Sequence, residues 1–107
     1  MSPRVHYSPE ALRQFDELDT YLTEQAGTRV AAAYLDRLLD FCDRIAVAPV
    51  IGHHRDDLLP GLMTRTFEKT RVVCFLLVDD VVHIVAIYGG RQDWEQHLRE
   101  NASNPPE

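Results

Sequence analysis

Basic residues are scarce in this sequence. Eleven face seventeen acids, Lys69 is the one lysine, and the net charge is −6. Non-specific nucleic-acid binding runs on neutralised phosphates, so a chain of this balance is poorly suited to it. Cysteine is nearly absent too. Cys42 and Cys74 sit in apolar runs and form no C-x-x-C pair, which argues against a thiol redox site or zinc knuckle and for two buried, reduced thiols. No apolar run reaches the roughly 18 residues of a membrane span. Residues Met1 to His6 lack the apolar segment of a signal peptide, so a cytoplasmic location is expected. Gly89-Gly90 has neither the G-x-G-x-x-G spacing nor the long following helix of a phosphate cradle, and reads as a turn. There is no internal repeat and no low-complexity segment.

What remains is one domain's worth of chain: 107 residues, 45% hydrophobic and 26% charged, proportions that exclude a disordered or fibrous protein. Val5-His6-Tyr7 suggests a short edge strand. Ser8-Pro9-Glu10 reads as a helix start, with serine as cap, proline in the first turn and glutamate against the dipole. Ala11, Phe15, Leu18 and Leu22 then fall on one helical face, and Gly27 ends the helix. Thr28 is a candidate cap for a second helix striped by Ala31, Leu35, Leu38, Cys42 and Ile45, widened by Leu39 and Ala46. Asp40 and Arg44 form an i,i+4 pair, and Pro49 stops the helix. The very short connection predicts an antiparallel hairpin over residues 9–48.

Residues 49–61, with two prolines and two glycines, read as a loop. Met63, Arg65 and Phe67 then alternate with polar residues. Val72 to Val78 has no polar side, as expected of a strand buried on both faces. Asp79-Asp80 predicts a tight hairpin turn, Val81 to Tyr88 the return strand, and Asp93 to Glu100 a short terminal helix. The expected fold is α+β, β-α-α-β-β-β, with the helix hairpin packed on an antiparallel sheet over residues 63–88. Residues 1–100 form a single domain and 101–107 a frayed tail. The second sheet face needs cover from a partner chain, the terminal helix or a dimer.

Chemistry-bearing residue types are scattered. His53-His54 with Asp56-Asp57 reads as a solvated loop rather than a metal site, His83 as a strand histidine rather than a base, and Ser8 as a cap rather than a nucleophile. Charge is uneven: residues 62–78 carry Arg65, Lys69 and Arg71 against Glu68 alone, the one basic stretch in an acidic chain. Arg65, Arg71, Arg91 and Trp94 are the candidate site. They form either strand-edge charges with a packing tryptophan, or a small basic and aromatic surface at one end of the sheet.

Ser8-Pro9-Glu10-Ala11 leading into Phe15, Leu18 and Tyr21 resembles the opening of the RelE/ParE toxin superfamily. So do Ala48-Pro49-Val50-Ile51-Gly52, Pro60-Gly61 before Arg65, and Val85-Ala86-Ile87-Tyr88-Gly89-Gly90-Arg91-Gln92-Asp93-Trp94. The resemblance spans roughly residues 4–98 and is nearest the ParE branch. It implies a toxin of a type II toxin–antitoxin system, held in a hetero-oligomer with a ParD-like antitoxin and acting by binding DNA gyrase. No catalytic residue, cofactor or metal is expected, nor direct nucleic-acid or membrane binding. Tyr88 stands where many relatives carry histidine, which departs from the nuclease pattern. An acidic antitoxin tail is expected to anchor on Arg65 and Arg71. The alternatives are a RelE-like ribosome-dependent mRNA endoribonuclease and a non-toxic interaction domain derived from such a toxin.

Overall fold

The computed structural model describes residues 4–49, 51–89 and 93–103. A short strand β1 (Val5–Tyr7) leads into α1 (Pro9–Ala26) and α2 (Thr28–Val47). Gly27 alone joins the helices. Its φ of +93° is one that side-chain-bearing residues rarely adopt, and its N–H closes α1 on the Thr23 carbonyl while its own carbonyl receives Ala31 N. Thr28 is therefore the first residue of α2 rather than its cap, and no side chain caps that helix. The expected stripes face inward: Ala11, Leu18, Ala31, Leu38, Cys42 and Ile45 are buried, and Phe15, Leu22 and Leu35 pack beside them. Leu39 is the exception. It is 40% exposed, turned off the stripe toward solvent. Asp40 and Arg44 pair at 2.8 Å on the outer face.

The loop after α2 contains a two-residue strand that the sequence did not suggest, β2 (His53–His54), paired with β3 (Met63–Phe67). Gly52 precedes it at a φ of +153°, where a Cβ would lie 2.9 Å from the Thr64 carbonyl oxygen, so only glycine fits. β3, β4 (Arg71–Val78) and β5 (Val81–Gly89) form the expected antiparallel meander. The Asp79-Asp80 turn closes it as a two-residue hairpin, with Val78 opposite Val81. β1 adds to β5 in parallel, so the five-stranded sheet is mixed, in the order β1-β5-β4-β3-β2.

Both faces of the sheet are covered. The helix hairpin packs on Met63, Phe67, Val73, Phe75, Val82, Ile84 and Ile87. The other face holds Cys74, Ala86 and Tyr88 under Leu58 and Leu62 of the long loop and Leu98 of α3 (Trp94–Ser103). The terminal helix and the loop thus supply the second cover. α3 continues through Ser103, three residues beyond the expected helix end at Glu100. Burial in β4 is concentrated at Val73, Cys74 and Phe75. Leu77 and Val78 are 42% and 48% exposed, so the strand is not buried along its whole length.

The register shifts between Cys74 and Phe75, which face Ala86 and Ile84; Val85 is the extra, bulged residue. Ser8 sits against this bulge. Its hydroxyl donates to the Val85 carbonyl at 2.6 Å and accepts from Ala11 N at 3.0 Å, and its N–H donates to the Ile84 carbonyl. One side chain therefore caps α1 and ties it to β5.

Candidate functional site

Arg65 and Arg71 lie on the sheet face covered by the helices, where strand alternation puts Arg65, Phe67 and Met63 together. Aromatic side chains of α2 receive them. The Arg65 guanidinium carbon lies 5.1 Å from the ring centre of Phe41. Arg71 donates from Nε to the Tyr34 hydroxyl at 3.1 Å and lies 5.9 Å from that ring's centre. Tyr34 and Phe41 both contact Phe67, edge-on and tilted. The result is a row of Arg71, Tyr34, Phe67, Phe41 and Arg65, with Arg37 also over Tyr34 at 5.4 Å. Cation–π seats of this kind fix a guanidinium without neutralising it. Arg37 is ion-paired to Glu68 at 2.9 Å, and that contact raises its pKa. Arg13, Arg44 and Arg55 also have carboxylate partners. Arg65 and Arg71 have none among the described residues.

Trp94 is not brought to these arginines. It packs on the opposite face beside Tyr88 and Leu98, with the Arg55 guanidinium 5.4 Å from its ring centre. Arg55 also holds Asp57 at 2.9 Å and Glu95 at 2.5 Å. Hydrogen bonding to Arg55 lowers the Asp57 carboxyl pKa. This cluster joins the long loop to α3. Arg91, with Gly90 and Gln92, falls outside the described residues. The four candidates thus resolve into a pair of arginines on one face, a packing tryptophan on the other, and one undescribed position.

A groove of about 1050 Å³ opens between α1 and the part of β5 that β1 leaves uncovered. Glu10, Arg13, Gln14, Glu17, Lys69, Arg71, Ile87, Tyr88 and His97 are among its lining residues. Gln14 accepts from Ile87 N at 2.6 Å and so plugs an otherwise open strand edge. Arg13 is held by Glu10 and Glu17 within α1. His97 stacks on Tyr88 with ring centres 6.1 Å apart. With two carboxylates in the wall against three cations, one of them internally paired, the groove is nearly neutral and a poor seat for a polyanion.

The thiols are inert. Burial pushes both Cys42 and Cys74 up to about 12, and it also raises Tyr7, which hydrogen-bonds Cys42. Thiolates at neutral pH are therefore disfavoured. No group of three or more histidine, cysteine, aspartate or glutamate side chains is placed to hold a metal ion among the described residues. No helix among them is long and apolar enough to cross a membrane. The sequence reading missed Tyr34 and Phe41. Their spacing of seven residues, with Arg37 between them, was the available signal: one helical face carrying two rings at the height of the basic strand residues.

A helix hairpin on one side of a mixed five-stranded sheet defines a small α+β domain of the RelE/ParE fold. Solved structures share it, two of them as follows. The chromosomal ParDE toxin–antitoxin system from P. aeruginosa aligns with a TM-score of 0.70 at 16% identity, over 82% of this chain and 96% of that one. A free-state variant of the E. coli toxin RelE aligns at 0.57 and 13%, over 95% and 98%. Residues 5–94 match the family described as the ParE toxin of the type II toxin–antitoxin system parDE. Toxin ParE3 of Caulobacter vibrioides is 37% identical over 75 residues, which cover 70% of this chain and 74% of that protein. The chain belongs to the ParE toxin family.

Proposed function

We propose that this ParE-family toxin acts by binding rather than by catalysis, with DNA gyrase as its target, and that an acidic ParD-like antitoxin tail neutralises it in a cytoplasmic hetero-oligomer. One observation carries the partner assignment. Arg65 and Arg71 sit on aromatic rings with no carboxylate partner among the described residues, although the chain is acidic and four other arginines are paired. Their seats are partly buried, where an arriving carboxylate gains more than it would in open solvent. Hydrogen bonds to charged groups contribute about 1.5–3 kcal/mol each. Arg65→Ala combined with Arg71→Ala is expected to weaken binding of the adjacent gene's product at least tenfold in titration calorimetry. An unchanged dissociation constant moves the interface elsewhere. Arg91 and Trp94 are secondary contributors; Trp94 reaches a partner only from the α3 side.

The RelE-like endoribonuclease is the second reading. What favours it is that Tyr88, His97, Lys69 and Arg71 line one groove. Against it stand the near-neutral wall and the net charge of −6. Expression without antitoxin separates the two. Growth arrest with DNA-damage signalling supports gyrase poisoning, rapid ribosome-dependent mRNA cleavage supports the nuclease, and unimpaired growth supports a non-toxic interaction domain.

A further inference from the structure

The parallel pairing of β1 with β5 sets His6 directly opposite His83, residues 77 positions apart in sequence. Their ring centres are 5.2 Å apart and the rings are tilted by 58°. His6 is exposed and His83 half-buried. Neither has a hydrogen bond or an ion pair to a described residue. Both belong to the sheet face away from the helix hairpin, and neither takes part in the arginine row or the groove.

We infer that His6 and His83 form a two-histidine site for a first-row transition-metal dication of the zinc class. Zinc binds imidazole nitrogen at about 2.0–2.1 Å, so a ring centre lies about 3.2 Å from the metal. Two rings at tetrahedral positions then have centres about 5.2 Å apart, while square-planar neighbours fall near 4.5 Å. The observed separation matches the tetrahedral case. Water completes the coordination, because no third protein ligand converges here among the described residues. Arg4, two residues before His6, is a nearby cation and works against tight binding. The site is therefore a weak, reversible clip, not a resident structural zinc.

Its consequence is mechanical. β1 has three residues and is held by few backbone bonds, among them Val82 N to the Arg4 carbonyl and Ser8 N to the Ile84 carbonyl. A metal shared by His6 and His83 fastens this strand to β5 just before Ser8, where α1 begins. It adds stability in proportion to metal occupancy.

Zinc titration of the full chain, followed by calorimetry and by hydrogen exchange at Val82 and Ser8, tests the site. Expected are one zinc per chain, slower exchange at those amides with zinc, and affinity at least tenfold weaker in both His6→Ala and His83→Ala. The doubly substituted His53→Ala, His54→Ala chain keeps wild-type affinity. His6 is exposed, so the His6→Ala protein folds even where His83→Ala does not. Cobalt(II) should give the intense visible bands of a tetrahedral ion in the wild type and lose them in His6→Ala. Equal affinity in wild type and His6→Ala, or loss of binding in the His53, His54 variant, overturns the inference.

Discussion

Replacing Ser8 tests whether the start of α1 is a simple helix cap or a joint between helix and sheet. The hydroxyl does two things at once: it accepts from Ala11 N at 3.0 Å and donates to the carbonyl of bulged Val85 at 2.6 Å. Loss of an N-cap costs about 1 kcal/mol. Leaving a partly buried carbonyl without its donor costs a further ~1–3 kcal/mol. Ser8→Ala should therefore destabilise by roughly 2–4 kcal/mol, and a domain of this size loses about 4–8 °C of Tm per kcal/mol. Ser8→Asp separates the two contributions. A carboxylate caps helices as well as serine does, but it cannot donate to Val85 and would face that carbonyl as a second acceptor. It should be at least as damaging as Ser8→Ala, while Ser8→Thr, which retains the hydroxyl, should stay close to wild type. Thermal and urea melts of the three variants decide the matter. A Ser8→Asp protein as stable as wild type would falsify the joint and reduce Ser8 to an ordinary cap.

Asp79 and Asp80 both have positive φ, +52° and +64°, in the two-residue β4–β5 turn. Replacing them by Asn-Gly, which suits that geometry, should raise stability by about 0.5–1 kcal/mol in a thermal melt. Leu38 is fully buried and Leu35 only partly so, so Leu38→Asp should abolish cooperative unfolding by circular dichroism while Leu35→Asp leaves a weakened transition; equal stability of the two would mean the helix face is misassigned. Burial raises both thiols to about 12 in the folded chain, against about 8.5 when unfolded. The folded state then binds more protons across this window, so stability should be fully present below about pH 8.5 and fall as pH rises toward 12, by up to about 1.4 kcal/mol per pH unit for each thiol. Cys42→Ala and Cys74→Ala should each flatten that slope in denaturant titrations, and an unchanged slope would assign the alkaline loss to other groups.

The helix hairpin was readable because its signals are local. Stripes of 3.6-residue period and a lone glycine between them determine two antiparallel helices. The meander followed from alternation and the Asp79-Asp80 turn. β2 escaped notice because two histidines in a loop carry no periodicity, and the pairing of β1 with β5 because it joins opposite ends of the chain. The latter omission hid the His6–His83 pair. Each histidine alone read as a surface residue, and only the parallel register makes them neighbours.

The dispersal of the candidate site has a sharper cause. Strict alternation from Val82 would put Ile84, Ala86 and Tyr88 on one face, under the helix hairpin and beside Arg71. The bulge at Val85 resets that parity. Ile84 and Ile87 face the helices, whereas Ala86 and Tyr88 face α3. No glycine or proline marks the bulge in the sequence, and the β-branched residues around it suit a regular strand equally well. Its position is instead set from outside the strand, where the Ser8 hydroxyl takes the carbonyl of Val85 and Gln14 receives Ile87 N. With the parity reset, Tyr88 stacks on His97 and Trp94 packs beneath the sheet. Arg65 and Arg71 are left as a separate pair against α2. A surface built on those two arginines follows from strand alternation in β3 and β4, which is legible, while its separation from Trp94 follows from one residue of slippage in β5, which is not.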